Sequence, residues 1–464
     1  MQRIEAHKNG RFLVKEDGSP FFWLADTAWL LIHIQNEEEV DRYLKDRAAK
    51  GFNVIQAVVG PPGSELHQEG VYEETRFIDN DPTRPNEAYF EKQVDYVVDR
   101  AEAEGLYLCL VPTWGWAVVQ PEYRYFDETN ARVYGEFIGA RYAERAHILW
   151  CIGGDQKAVI DDENCSEREK DWKGDYRPVW RALAEGIAKG VTGEDLAWDK
   201  PDPAWQKLFM TWHPPGGGNM TSSAWFHKDA WLSMNMIQTS HGHYDNATSY
   251  RSITRDYELT PIKPTLDGES PYEDHPVGWK PDRGRYSDWD VRKAAYWSVF
   301  AGACGHTYGN HNVWYFYKPG REPWVNAAQH CYWYDALNQP GARQMIHLRR
   351  LVESRPYLLR IPDQSVLACE AGDGARRLQA TRGADGSYIM VYTPESDLTL
   401  RVHLGRIAAT TARAWWFNPR NGSAAKIGEF QAEGVGKFKP PRYGPDWVLV
   451  LDDAGAGFPE PGWV

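Results

Sequence analysis

The stretch Asn36-Glu37-Glu38-Glu39-Val40-Asp41-Arg42-Tyr43-Leu44-Lys45-Asp46-Arg47-Ala48-Ala49-Lys50-Gly51-Phe52-Asn53-Val54-Ile55-Gln56-Ala57-Val58-Val59 carries a helix, its stop and the strand that follows. Asn36 with Glu39 three residues on is a capping-box pattern, in which each side chain satisfies the other's free backbone N–H. Val40, Tyr43, Leu44 and Ala48 recur at helical spacing and make one apolar face. Gly51 is placed where the helix must stop, and residues 53–59 switch to a short apolar run of β-forming residues. A helix returning to a buried strand through so tight a connection is one half of a βα unit on a parallel sheet.

The same alternation repeats along the chain. Strands are expected at residues 21–26, 53–59, 106–113, 148–153, 208–212, 234–240, 263–267 and 305–308, which makes eight units. Phe90, Val94, Val97, Val98 and Ala101 form a second helical face, and Gly105 ends that helix. Residues 290–303 read as the seventh helix and 341–355 as the eighth, with further helical segments expected over 228–233 and 248–257. Helix-to-strand connections are tight, whereas 60–86, 157–175, 271–289 and 315–340 follow strands and are long. In an eight-stranded (β/α)₈ TIM barrel the strand-to-helix loops build the functional face.

From about residue 361 the pattern becomes antiparallel. Expected strands at 377–382, 388–392, 398–404, 412–417 and 447–451 are punctuated by Gly383-Ala384-Asp385-Gly386 and Asn418-Pro419-Arg420-Asn421-Gly422. The fold class is therefore α/β: a (β/α)8 barrel over residues 1–358 followed by a C-terminal β-sandwich over 359–464. A length of 464 residues suits one large domain and one small one.

Composition narrows the function. A formal net charge of −13 with no basic run disfavours nucleic acid and anionic membranes as partners. No stretch approaches the ~20 apolar residues of a membrane span. The 22 Trp exceed what packing demands, and indole faces suit the C–H faces of sugar rings, although about half of them are expected in the core. Cys109, Cys151 and Cys304 fall in or beside apolar segments and read as buried thiols, and the six cysteines show no metal-type spacing. The N-terminal residues lack the pattern of a signal peptide, so the chain as it stands reads as cytoplasmic. A chain already trimmed of a leader, and so periplasmic or secreted, would read the same.

The carboxyl ends of the eight strands carry Asp26, Gln56, Trp114 with Trp116, Asp155, His213, Gln238 with His241 and His243, Glu269, and His306 with Asn310 and His311. Amides, imidazoles, indoles and carboxylates converging on one pocket are what polyol recognition requires. Asp155 follows two glycines after strand four and Glu269 follows Asp267-Gly268 after strand seven, so two carboxylates face each other across the barrel mouth. Glycosidic cleavage needs such a pair, one to protonate the leaving oxygen and one to attack or to activate water. Asp26 is expected to accept a substrate hydroxyl or to orient the pair, with an ion pair in the scaffold as the alternative. Asp267, one residue nearer the strand, is expected to support Glu269. A metal-dependent hydrolase using His213, His241 and His243 is the rival chemistry, ranked below hydrogen bonding to sugar hydroxyls because no His-x-His stands at strand one. A non-catalytic glycan-binding barrel is a third reading. No metal site and no cofactor is expected.

Gly18-Ser19-Pro20-Phe21-Phe22-Trp23-Leu24-Ala25-Asp26-Thr27-Ala28-Trp29 and Lys50-Gly51-Phe52-Asn53-Val54-Ile55-Gln56 resemble the apiosidase-like glycoside hydrolases. So do Gly153-Gly154-Asp155, Thr239-Ser240-His241-Gly242, Asp267-Gly268-Glu269 with Tyr272-Glu273, and Gly305-His306-Thr307-Tyr308-Gly309. The segment Ala414-Trp415-Trp416-Phe417-Asn418-Pro419-Arg420-Asn421-Gly422 is similar to the β-domain that accompanies those barrels and is named for collagen binding, although nothing in residues 361–464 reads as a collagen site. The resemblance implies a retaining glycosidase acting on an oligosaccharide or glycoside, with Asp155 as acid/base and Glu269 as nucleophile. It further implies plant-type glycans as substrates, with release of apiose or a related pentose from pectic material. The sugar and the oligomeric state stay open at this point.

Overall fold

The computed structural model describes residues 1–60, 69–218, 220–242, 246–323 and 329–463. Eight parallel strands follow one another along the chain: β1 (Trp23–Thr27), β2 (Val54–Val58), β3 (Tyr107–Val111), β4 (Ile148–Gly153), β5 (Met210–His213), β6 (Asn235–Ile237), β7 (Thr265–Asp267) and β8 (Gly305–Tyr308). Six form one curled sheet in the order β5-β4-β3-β2-β1-β8, and β6 and β7 pair with each other. Backbone bonds from Ser233 N–H to the Met210 carbonyl (2.8 Å) and from Cys304 N–H to the Thr265 carbonyl (2.9 Å) link this pair to its neighbours on both sides. The eight strands thereby make one ring, as the repeated βα units imply.

The helices that return each strand to the barrel floor are α1 (Glu37–Ala49), α2 (Asp95–Ala103), α3 (Glu128–Arg141), α4 (Arg177–Thr192), α5 (Ser223–Phe226), α6 (Thr248–Tyr257), α7 (Asp288–Phe300) and α8 (Pro340–Glu353). The capping box at α1 forms as expected, with Asn36 Oδ1 accepting the Glu39 N–H and Glu39 accepting the Asn36 N–H. The expected helix at 228–233 is a correction: those residues turn, and the fifth helix is one short turn earlier. The chain there is held by tertiary contacts. Asp229 accepts a bidentate pair from Arg181 and the Trp231 indole N–H, which stands in for helical bonding.

The C-terminal part consists of β9 (Arg360–Pro362), β10 (Gln379–Gly383), β11 (Tyr388–Thr393), β12 (Leu400–His403), β13 (Thr411–Phe417), β14 (Ala424–Gln431), β15 (Val435–Phe438) and β16 (Trp447–Asp453). One six-stranded antiparallel sheet runs β9-β10-β11-β16-β13-β14, and β12 pairs with β15. Alternate residues of β11 and β16 face opposite ways. Ile389, Val391, Leu449 and Leu451 pack with Leu400 and Val402 of the small sheet, while Tyr388, Met390, Tyr392, Val448 and Val450 share a core with α7 and α8. Among the described residues no helix is long and apolar enough to cross a membrane.

Candidate active site

A cleft of about 310 Å³ opens at the carboxyl ends of the barrel strands. Its walls include Trp29, Trp114, Trp116, Tyr272, Trp279 and Trp314, and Asp155, Glu269, His241 and Arg168 complete the lining. Aromatic walls with a few convergent polar groups are the usual make-up of a small-ligand site.

Asp155 reaches the cleft because β4 ends on glycines. Gly153 and Gly154 have φ of 98° and 125°, and Asp155 itself has φ 54°. A Cβ on Gly153 would lie 2.6 Å from the His213 carbonyl oxygen, and one on Gly154 would lie 2.4 Å from the Trp114 ring. Only a chain without side chains there passes between β5 and Trp114, and it delivers Asp155 in a left-handed conformation that aspartate tolerates. Gln238 Nε2 then donates to Asp155 Oδ1 at 3.0 Å.

Glu269 is buried and faces two imidazoles. His213 Nε2 stands 3.0 Å from Oε2, and His241 Nε2 stands 3.2 Å from Oε1. The Tyr272 backbone N–H donates to His241 Nδ1 at 3.3 Å, so that ring is the Nε2–H tautomer and donates to Glu269. The Tyr272 hydroxyl accepts the Trp29 indole N–H at 3.0 Å. One terminal atom each of Asp155, His213 and Glu269 lie within 4.8 Å of one another.

These surroundings drive the two carboxyl groups apart. Burial and the neighbouring Glu269 charge push Asp155 up to about 7, against the pull of His213 and the Gln238 amide. Burial also works to raise Glu269, but hydrogen bonds from His213 and His241, with the His213 charge, outweigh it and hold that carboxyl well below the usual carboxylate range. One group therefore keeps its proton near neutrality while the other stays ionised, the division of labour that acid-assisted displacement needs.

Of the residues expected from sequence, Trp114, Trp116, His213, Gln238 and His241 join Asp155 and Glu269 here, either lining the cleft or bonding the pair. Four others do not line it. Asp26 is fully buried on the outer side of β1, bound by the Tyr43 hydroxyl (2.6 Å) and by Arg47 Nε. This corrects its expected role as a substrate acceptor, because strand parity turns it toward α1. Gln56 points into the barrel and donates to the Gly268 carbonyl at 2.9 Å, which places it beneath Glu269 rather than in contact with substrate. His306 faces α7 and lies near the Ser270 and Ser298 hydroxyls, and burial lowers it to about 3. Asn310 is spent on Gln339 and on capping the Asn312 N–H. His243 lies outside the described residues.

Asp267 accepts the Thr239 hydroxyl at 2.7 Å and ties β7 to the chain after β6. Sequence reasoning assigned no site role to Trp29, Arg168, Tyr272, Trp279 or Trp314. They sit in loops, where no periodicity marks orientation. Their residue type was the available signal, since Trp in long strand-to-helix loops is hard to account for by core packing.

Residues 7–359 match the family model described as "Apiosidase-like, catalytic domain". The chain belongs to the apiosidase-like family. Residues 361–452 of this apiosidase-like chain match a second model, "Putative collagen-binding domain of a collagenase". A solved structure described as "Glycoside hydrolase" is 32% identical with a TM-score of 0.83, covering 98% of this chain and 97% of that one. A glycoside hydrolase family 5 structure from Bacteroides vulgatus ATCC 8482 is also 32% identical, with a TM-score of 0.85 and coverage of 99% and 95%. No curated protein matches the chain. The apiosidase-like chain is accordingly a glycoside hydrolase.

Proposed function

We propose that this chain is a retaining glycosidase in which Glu269 attacks the anomeric carbon while Asp155 protonates the departing oxygen. Asp155 then takes a proton from water, which releases the sugar from Glu269. The observation that carries this reading is the proximity of the pair. A carboxylate oxygen of Asp155 lies within 4.8 Å of one of Glu269, which suits the ~5–5.5 Å spacing of double displacement and falls short of the ~6.5–9.5 Å between carboxyls in inversion.

The substrate is proposed to be a plant-type glycan from which apiose or a related pentose is released. A cleft of about 310 Å³ is at the small end of ligand pockets, roughly 300–1,000 Å³, and suits one terminal pentose better than the interior of a chain. Arg168 supports a pectic setting. Its guanidinium lies over Trp172 on the cleft wall with no carboxylate partner among the described residues, and pectic chains carry carboxylates.

Glu269→Gln is expected to lower kcat by about 10⁴-fold or more with the fold intact, because no nucleophile replaces it. Asp155→Asn is expected to cost about 10²–10⁴-fold, least for aryl glycosides whose leaving groups need no proton. Proton NMR of the first-formed product reads the anomer directly: retention is the expected result, and inversion would overturn the mechanism. Incubation with a chelator is expected to leave turnover unchanged, because double displacement by Glu269 and Asp155 needs no ion. A loss restored by a divalent cation would return the site to metal-dependent hydrolysis.

A further inference from the structure

The double displacement proposed above moves a negative charge. When Glu269 bonds the anomeric carbon and the glycosidic bond breaks, the Asp155 proton goes to the departing oxygen. The carboxylate charge leaves Glu269 and appears on Asp155. When water attacks, its proton goes to Asp155, the bond from Glu269 to carbon breaks, and the charge returns. Two buried positions thus take turns holding one anion, and a buried anion without a counter-charge is costly.

His213 stands at the hinge of this exchange. Its Nε2 is 3.0 Å from Glu269 Oε2, and one atom each of His213, Asp155 and Glu269 fall within 4.8 Å of one another. The ring is fully buried between Trp29 and Trp114, both with centroids 5.3 Å away. The other imidazole on Glu269 behaves differently, because His241 Nδ1 accepts a backbone N–H and can take no second proton. Among the described residues no hydrogen bond of full geometry holds either ring nitrogen of His213, so neither proton position is blocked, and Nε2 stands nearest Glu269.

We propose that His213 is a stationary imidazolium that pairs with Glu269 in the free enzyme and with Asp155 in the glycosyl-enzyme. It keeps its proton through both steps and touches no reacting atom of the substrate, so it is a positioning residue. The groups that face it agree with this role. Burial opposes a charged ring, yet the hydrogen bond to Glu269 and its charge outweigh it and raise His213 to about 9. The site then has the same total charge before and after glycosylation. A cation within reach of both carboxyls spares the first step from generating an uncompensated Asp155 carboxylate.

This inference rests on the glycosidase reading, and two measurements separate their failures. Imidazole NMR of the resting enzyme, with the His213 ring assigned through its contacts to the Trp29 and Trp114 rings, requires no turnover. A doubly protonated ring at pH 7 is expected, with titration falling toward the ordinary range in Glu269→Gln. A neutral ring at pH 7 would overturn the inference even if the glycosidase assignment stands. The pH profile of kcat/KM for His213→Gln is the second measurement. Without the cation both carboxyls become harder to ionise, so both limbs are expected to move up by about one unit or more, each unit being a tenfold change in the ionisation equilibrium. A uniform drop with unmoved limbs would mark His213 as structural and overturn the inference. Full activity of Glu269→Gln would instead remove the glycosidase reading and leave the NMR result as it stands.

Discussion

Asp26 and Asp155 are both aspartates at the carboxyl end of a barrel strand, and side-chain parity sends them to opposite ends of the molecule's chemistry. In β1, Leu24 packs outside the barrel wall with Phe52 and with Ala295 and Val299 of α7, and Asp26, two residues on, points the same way to Tyr43 and Arg47. Arg47 keeps Asp46 at 2.9 Å as a second carboxylate, so Asp26→Asn is expected to cost about 1.5–3 kcal/mol, the worth of a hydrogen bond to a charged group, in thermal or denaturant unfolding. Because Asp26 does not line the cleft, the pH limbs of that variant should stay at their wild-type positions. The wild-type profile of kcat/KM is itself a check. Activity needs Glu269 ionised and Asp155 protonated, so the acid limb should lie below the ordinary carboxylate range and the basic limb near 7. A basic limb near 4, measured on a stable enzyme, would contradict the assignment of Asp155 as the acid.

At the scale of elements, the end of β4 and helix α7 show what close packing demands of a sequence. The Gly153-Gly154 pair permits a close approach that a side chain would block, and Gly153→Ala would force the turn against the His213 carbonyl. A shift of about 1 Å in Asp155 is expected to lower kcat about 100-fold. Circular dichroism should show a retained fold, and an unchanged kcat would refute the role given to that turn. Helix α7 is buried on all sides from Asp290 to Phe300, so it lacks the polar stripe by which a surface barrel helix is recognised. It lies between the barrel wall and the C-terminal sheet, with Tyr296 stacked on Tyr392 at 4.9 Å and the Trp297 indole N–H donating to the Arg377 carbonyl.

For the whole molecule, the two parts of the chain share one core. Arg292 makes a bidentate pair with Asp446, Arg355 makes another with Asp452, and apolar residues of α7, α8, β11 and β16 form one cluster. A chain ending at residue 358 would expose that face, deprive Arg355 of Asp452 and leave Arg292 only Asp288. It is expected to aggregate or to melt without cooperativity. A monomeric truncated barrel with a sharp melting transition would show instead that the C-terminal part is an appendage.

The eight strands were legible because each is a short apolar run framed by turn residues, and 148–153 and 305–308 have the same limits in the sequence reading and in the structure. β14 was not legible. It is an edge strand whose residues are exposed or half-buried, so no alternation of apolar side chains marks it. Sequence by itself determined the order of the units, the face on which the strand ends and long loops gather, and the candidacy of Asp155 and Glu269. These follow from local periodicity and from chain polarity, which need no knowledge of distant contacts. Tertiary structure alone decided which polar strand ends reach the cleft, that Gln56 and His306 serve the barrel wall, and that the two carboxyls ionise so differently. Those properties depend on side-chain parity, burial and the distance to imidazoles on other strands, and residues as far apart in the chain as His213 and Glu269 acquire them only when the barrel closes.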